Sequence, residues 1–198
     1  MKVRGFSIAI GWMRMWCLPI VMGGTAQTVT ALDFSAERIV KDGASVVTAH
    51  VNAKDDRWRI EYSHPQQGAS VMIVRTDLGI AWLIFSRRRQ YIEELMTSDH
   101  RLSMNEKMEG EIQREFVGDE TLNGYSTELF EVTVAAKGHM YQYYRWITKT
   151  ERFPLKTVSK QGTWSEEFRR VIFTEQSPLL FELPQRLDPA HRSTGPKQ

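Results

Sequence analysis

From Phe34 onward, apolar residues recur at every second position in short runs, and turn-forming residues stand between the runs. A period of two marks strands with one buried face. Asp42-Gly43, Lys54 to Asp56, Pro65 to Gly68, Asp77 to Gly79, Asn123-Gly124, Lys137-Gly138 and Gln161-Gly162 divide the chain into hairpins. Eleven strands are predicted, over 34–40, 45–53, 57–63, 70–76, 79–85, 89–94, 111–118, 125–135, 139–148, 154–160 and 163–173.

Alternation also assigns faces. Trp58, Ile60 and Tyr62 oppose Arg57, Arg59 and Glu61, and Trp164 and Phe168 oppose Ser165, Glu167 and Arg169. Glu166 and Arg170 fall on the apolar side, which predicts that this strand nears solvent at its far end. Residues 79–85 are apolar on both faces, so a second element must cover them.

The alternation breaks over residues 95–109. Ser103-Met104-Asn105-Glu106 has the capping-box arrangement of a helix start, and Met104 and Met108 lie four apart, on one helical face. A long antiparallel meander with one helical insertion implies a mainly β, single-domain sheet curled into an open, unclosed barrel, with the insertion over or in its concave side. No internal repeat and no linker rich in Gly, Ser or Pro argues for a second domain.

The front of the chain reads as an address. Lys2, Arg4 and Arg14 precede the apolar stretch Met15 to Met22, and Gly23-Gly24-Thr25-Ala26 supplies small residues for cleavage after Ala26. The expected organisation is a signal peptide over 1–26, a domain over 27–188 and a loose polar tail over 189–198. The apolar stretch is too short to span a bilayer, and no later run is long enough. Cleavage would remove Cys17, the sole cysteine, as suits an oxidising periplasm.

Composition is that of a globular protein, with 41% hydrophobic and 25% charged residues. The formal charge of +2 falls to −1 without residues 1–26, which leaves 23 basic against 24 acidic side chains. Nothing in that balance favours a nucleic acid as partner.

Catalytic and cofactor chemistry finds little support. There is no G-x-S-x-G elbow and no Gly-rich phosphate loop, and His50, His64, His100, His139 and His191 are scattered singly, without metal-ligand spacing. Glu93-Glu94 and Glu166-Glu167 are strand neighbours whose members point to opposite faces. The expectation is a non-catalytic protein without cofactor or metal.

Trp58, Tyr62, Trp82, Tyr144, Trp146, Trp164 and Phe168 lie on different strands, and a curved sheet would gather several on one surface. With Ile60 they form the candidate ligand-binding set, the alternative being that they are simply core. Met96, Met104 and Met108 are the candidate lid, again with plain packing as the alternative. Arg87-Arg88-Arg89 closes a hairpin after the apolar strand. It reads either as a solvated turn that guards against aggregation or as a contact for anionic lipid headgroups or an acidic partner.

Several stretches, in order, resemble a known family: Phe34 to Val40, Asp56 to Tyr62, Ile73 to Asp77 followed by Ala81 to Ile84, Gln90 to Glu93, Gly118 to Thr127, and Pro178 to Pro184. Together they are similar to the LolA-like superfamily of periplasmic lipoprotein carriers, in the branch of exported domains of unknown function typified by DUF4412. The resemblance implies an unclosed half-barrel with a helical plug and an apolar cavity for a lipid, a lipoprotein acyl chain or another lipophilic ligand. The likeness departs at the front, where few residues remain for the amphipathic helix with which such carriers usually begin. Two functions follow as expectations: a periplasmic lipid-binding protein, or a periplasmic protein-interaction or envelope-sensing module whose interior is filled by its own side chains.

Overall fold

The computed structural model describes residues 32–97, 100–102 and 104–190. The expected signal peptide with Cys17, residue Ser103 of the capping box, and the tail from 191 onward lie outside the described residues.

Strands β1 (Phe34–Asp42), β2 (Ser45–Lys54), β3 (Arg57–Gln66), β4 (Ala69–Arg75), β5 (Ile80–Phe85) and β6 (Gln90–Leu95) form one antiparallel meander. A second comprises β7 (Glu111–Leu122), β8 (Tyr125–Ala136), β9 (His139–Thr148), β10 (Pro154–Ser159) and β11 (Trp164–Phe173). The predicted strands match these eleven to within a few residues at each end. Tight turns set the registers. At Asn123-Gly124 and Lys137-Gly138 both residues have positive φ, 52° with 86° and 50° with 78°, as the twist of two-residue hairpins requires.

The two meanders join through β1 and β11, giving a single open sheet in the order β12-β6-β5-β4-β3-β2-β1-β11-β10-β9-β8-β7. The twelfth strand, β12 (Asp188–Pro189), pairs in parallel with β6 and was not predicted, since two residues carry no alternation. Pro189, assigned from sequence to the tail, therefore belongs to the sheet.

This order corrects the helix expected over residues 95–109. The described residues between β6 and β7 contain bends and turns but no α-helix. The physical reason is reach. The connection leaves β6 near one edge and enters β7 at the other, ten strand spacings away. Ten spacings measure about 48 Å along a flat sheet, or about 30 Å across a half-circle of that arc. Fifteen residues span only about 22 Å as a helix but about 50 Å when extended. A fifteen-residue helix falls short of that span, so local helix signals yield to topology.

Cross-strand pairs share a face. Phe34, Ala53 and Trp58 align across β1, β2 and β3, and Ala36, Val51 and Ile60 do the same. With Met72, Val74, Ala81, Phe168 and Val171, and with Phe153 and Leu155, they build the main core on the inner face, which the β6–β7 connection crosses. Phe34, Phe153 and Phe168 sit edge to face, with ring centroids 4.8 to 6.2 Å apart. The doubly apolar β5 has the cover its sequence demands. Ile73, Trp82 and Ile84 on the outer face pack under Phe181, carried by the 3-10 turn Pro178–Phe181.

Candidate functional site

The β6–β7 connection packs over part of the inner face. Leu102 is buried in the main core, and Met96 and Met104 pack against it beside Tyr62 and Leu83. The Trp58 indole Nε1 donates to the carbonyl of His100 at 2.8 Å, tying the crossing segment to β3. Of the candidate lid, Met96 and Met104 thus lie on the core. Met108 is half-buried at the turn into β7, where its backbone carbonyl accepts from the Glu111 amide.

Ionic contacts hold the rest of the connection. Arg114 of β7 grips Glu111 with Nε and Nη2 at 2.8 and 2.9 Å and donates to the Glu106 carbonyl at 2.6 Å. Arg152 donates to the Glu106 carboxylate at 2.6 Å and to Glu128. The hydrogen bond from Arg152 holds the Glu106 carboxyl below its ordinary value, against its partial burial. For Glu111, burial works upward, but the bonds from Arg114 and the Met108 amide prevail and lower it.

Beneath this clamp lies Arg145 of β9, fully buried among strands rich in aromatics. It donates to the Asn105 carbonyl at 2.5 Å and to the Thr157 hydroxyl at 3.3 Å. Burial pushes its guanidinium down to about 10, while the field of Glu166 opposes that shift. Glu166 is itself buried and receives Arg38 Nε at 2.6 Å. The expectation that this end of β11 nears solvent is therefore corrected at Glu166, where the partner on β1 makes burial possible. Arg170, with φ of 50°, is exposed as expected. Sequence reasoning missed Arg145. The available signal was a lone cation at an alternation-in position of the run Tyr143-Tyr144-Arg145-Trp146.

The candidate ligand-binding residues do not share one surface. Trp58, Ile60, Tyr62 and Phe168 join the main core, with Tyr62 half-buried. Trp82 lies on the opposite face, paired across strands with Ile73 and Glu93, and its Nε1 donates to Glu93 at 3.0 Å. The expectation that Trp58 and Trp82 face the same way is overturned, because alternation cannot fix the parity of a strand that is apolar on both sides. Tyr144 and Trp146 are also outward, opposite in parity to Arg145. Lys160 and Lys156 stand over their rings at 5.9 and 5.3 Å, and Trp146 Nε1 donates to Glu120 at 2.7 Å.

Trp164 has a different setting. It meets Tyr143 edge to face at 6.1 Å in a half-open cleft of about 530 Å³ at the end of the inner face. His139, Met140 and Tyr141 line one side, and Ser159, Gln161 and Thr163 the other. The cleft offers aromatic rings, hydroxyl and amide groups and the imidazole of His139, an arrangement able to hold a small ligand.

Arg87, Arg88 and Arg89 are exposed around the 3-10 turn Ser86–Arg88, and among the described residues they form no ion pair. Arg87 and Arg88 border a smaller recess of about 240 Å³ with Pro65, Gly68 and Phe85. No group of three or more His, Cys, Asp or Glu among the described residues could hold a metal ion. No helix among them is long and apolar enough to cross a membrane.

No protein-family model matches the sequence, and no curated protein matches it either. The placement within the DUF4412-like branch thus has no matching model behind it. Solved structures do match. A putative outer membrane lipoprotein-sorting protein domain from Vibrio parahaemolyticus is 13% identical over 77% of this chain and 89% of that one, with a TM-score of 0.37. MucB is 11% identical over 82% of this chain, with a TM-score of 0.54, and MucB in complex with MucA(peri) is 12% identical, covering 82% of this chain and 58% of that one, with a TM-score of 0.50. The chain spans 61% of the MucB chain, and at this identity what the two share is the fold.

Proposed function

We propose that the protein is a non-catalytic interaction module of the periplasm, exported by its N-terminal segment, and that it works by binding another envelope protein. The observation that carries this reading is the filled inner face. A carrier of acyl chains needs an apolar void of several hundred Å³ among its core strands. Here that position is occupied by Phe34, Phe153, Phe168 and the crossing segment with Leu102 and Met104. The fold shared with MucB, a protein solved with MucA(peri), supports a protein partner.

A second reading keeps a lipid or lipoprotein acyl chain as ligand, and the cleft beside Tyr143 and Trp164 favours it, because that cleft is the larger recess described and has aromatic walls. Photocrosslinking in the periplasm separates the two. A crosslinker replacing exposed Tyr141 or Val117 should capture one protein reproducibly. Recovery of lipid adducts from position 141, with no protein from either position, would instead establish the second reading.

A further inference from the structure

The sheet has two edges, and they are treated differently. At the β6 edge, β12 brings a proline, and the amides of Asp188 and Ala190 bond the carbonyls of Arg89 and Tyr91 at 2.9 and 2.7 Å. At the other end β7 pairs with β8 only, so the backbone groups on its far side, those not bonded to β8, lack a strand partner among the described residues. Natural edges are blunted by bulges and charges. β7 has register shifts at Glu111/Gln113 and Phe116/Gly118, yet the residues skipped there are Ile112 and Val117. Both are apolar and more than half exposed, as is Phe116 beside them. Bulges that only protected the edge would not display apolar side chains.

We infer that β7 is a docking strand, whose free edge receives an extended segment of another protein in which Lys or Arg alternates with apolar residues. The inference rests on the interaction-module reading and supplies its contact strand. Backbone hydrogen bonds would provide affinity, and side-chain alternation would provide choice of partner. Charge sets the sign of the partner. β7 carries Glu111, Glu115, Asp119 and Glu120 against one cation, Arg114, which is engaged by Glu111 and Glu106. Glu115 and Glu120 form no ion pair among the described residues, and Asp119 has only an exposed contact with Lys149 at 2.8 Å. The same charges disfavour a second copy. Antiparallel self-pairing centred on Val117 would set Glu115 against Asp119 of the other chain, and like charges directly opposite destabilise a pair, while Arg114, which would face Glu120, is already held by Glu111 and Glu106.

The test is hydrogen exchange of the full exported chain with two short acetylated peptides, one alternating valine with lysine and one alternating valine with glutamate. The valine–lysine peptide should slow the β7 amides and the other should not. Ile112→Lys and Val117→Lys should each weaken that binding roughly tenfold at unchanged melting temperature. Val46→Lys, equally exposed on β2, should leave it intact and serves as the folding control. Equal protection by both peptides, or protection away from β7, would overturn the inference. So would slow exchange in the free monomer at the β7 amides that are not bonded to β8, which would mean that the chain covers its own edge, or protection that grows with protein concentration alone, which would mean self-pairing. Capture of a partner from Tyr141 with a silent β7 would remove this inference and leave the module reading standing. Peptide binding at β7 with no protein captured in the periplasm would count against the module reading and keep the edge chemistry.

Discussion

β4 and β7 belong to one sheet and share its geometry, yet four of seven residues in β4 are buried and none of twelve in β7 is. β4 is covered twice, by the main core on the inner face and by Phe181 on the outer. β7 has one neighbour and a row of charges. The contrast shows how a sheet of this kind divides its labour: strands near the β1–β5 half hold the fold, and the far edge is left available for contact. If that division is right, substitutions at the two ends should differ in kind as well as size.

The largest effect should come from the aromatic triad. Phe153→Ala removes a fully buried ring in contact with Phe34, Phe168 and Phe173, and unfolding in urea should show a loss of about 3 to 5 kcal/mol. Next comes Arg145→Met, which keeps the stem volume but leaves the Asn105 carbonyl without its guanidinium. A loss of about 1 to 3 kcal/mol is expected, with faster amide exchange around residues 104–111. A loss confined to exchange rates, without change in melting, would mean that the clamp holds the crossing segment and contributes nothing to the sheet.

Acid should loosen the same segment before the core. Glu106 and Glu111 have folded values below their ordinary 4.5, so the stability they contribute is fully present above that pH and is lost as pH falls through the lowered values. Exchange at Met108 and Glu111 should therefore accelerate below pH 4.5, while amides flanking Phe34 and Phe168 stay protected. The smallest effect is expected at the far edge. Val117→Ser, at an exposed position, should change stability by no more than about 0.5 kcal/mol, as judged by its urea midpoint.

Much of this fold was legible because hairpins are local. Asn123-Gly124 and Lys137-Gly138 mark their turns whatever surrounds them, and the cover over β5 followed from Ile80 to Phe85 having no polar face. What sequence could not show was pairing between distant segments. The β1–β11 junction unites residues about 130 apart in the chain, and it decides that the β6–β7 connection must cross the inner face, a span longer than a fifteen-residue helix. The capping box around Met104 was a true local preference that lost to that span. The candidate site was less legible than the fold for a related reason. Parity within a strand is visible in the sequence, but which parity faces inward is fixed by neighbours, so the sequence does not show that Trp82, Tyr144 and Trp146 lie on the face opposite Trp58. Buried Arg145 and Glu166 depend on partners distant in sequence, Asn105 of the β6–β7 connection and Arg38 of β1, that no local pattern reveals.

An interior filled by the chain itself separates an interaction module from a carrier. Native mass spectrometry of the protein purified from the envelope without detergent addresses this directly. The prediction is a species with the mass of the bare polypeptide, alone or with one partner protein. A lipid mass carried by most of the population at one per chain would contradict it.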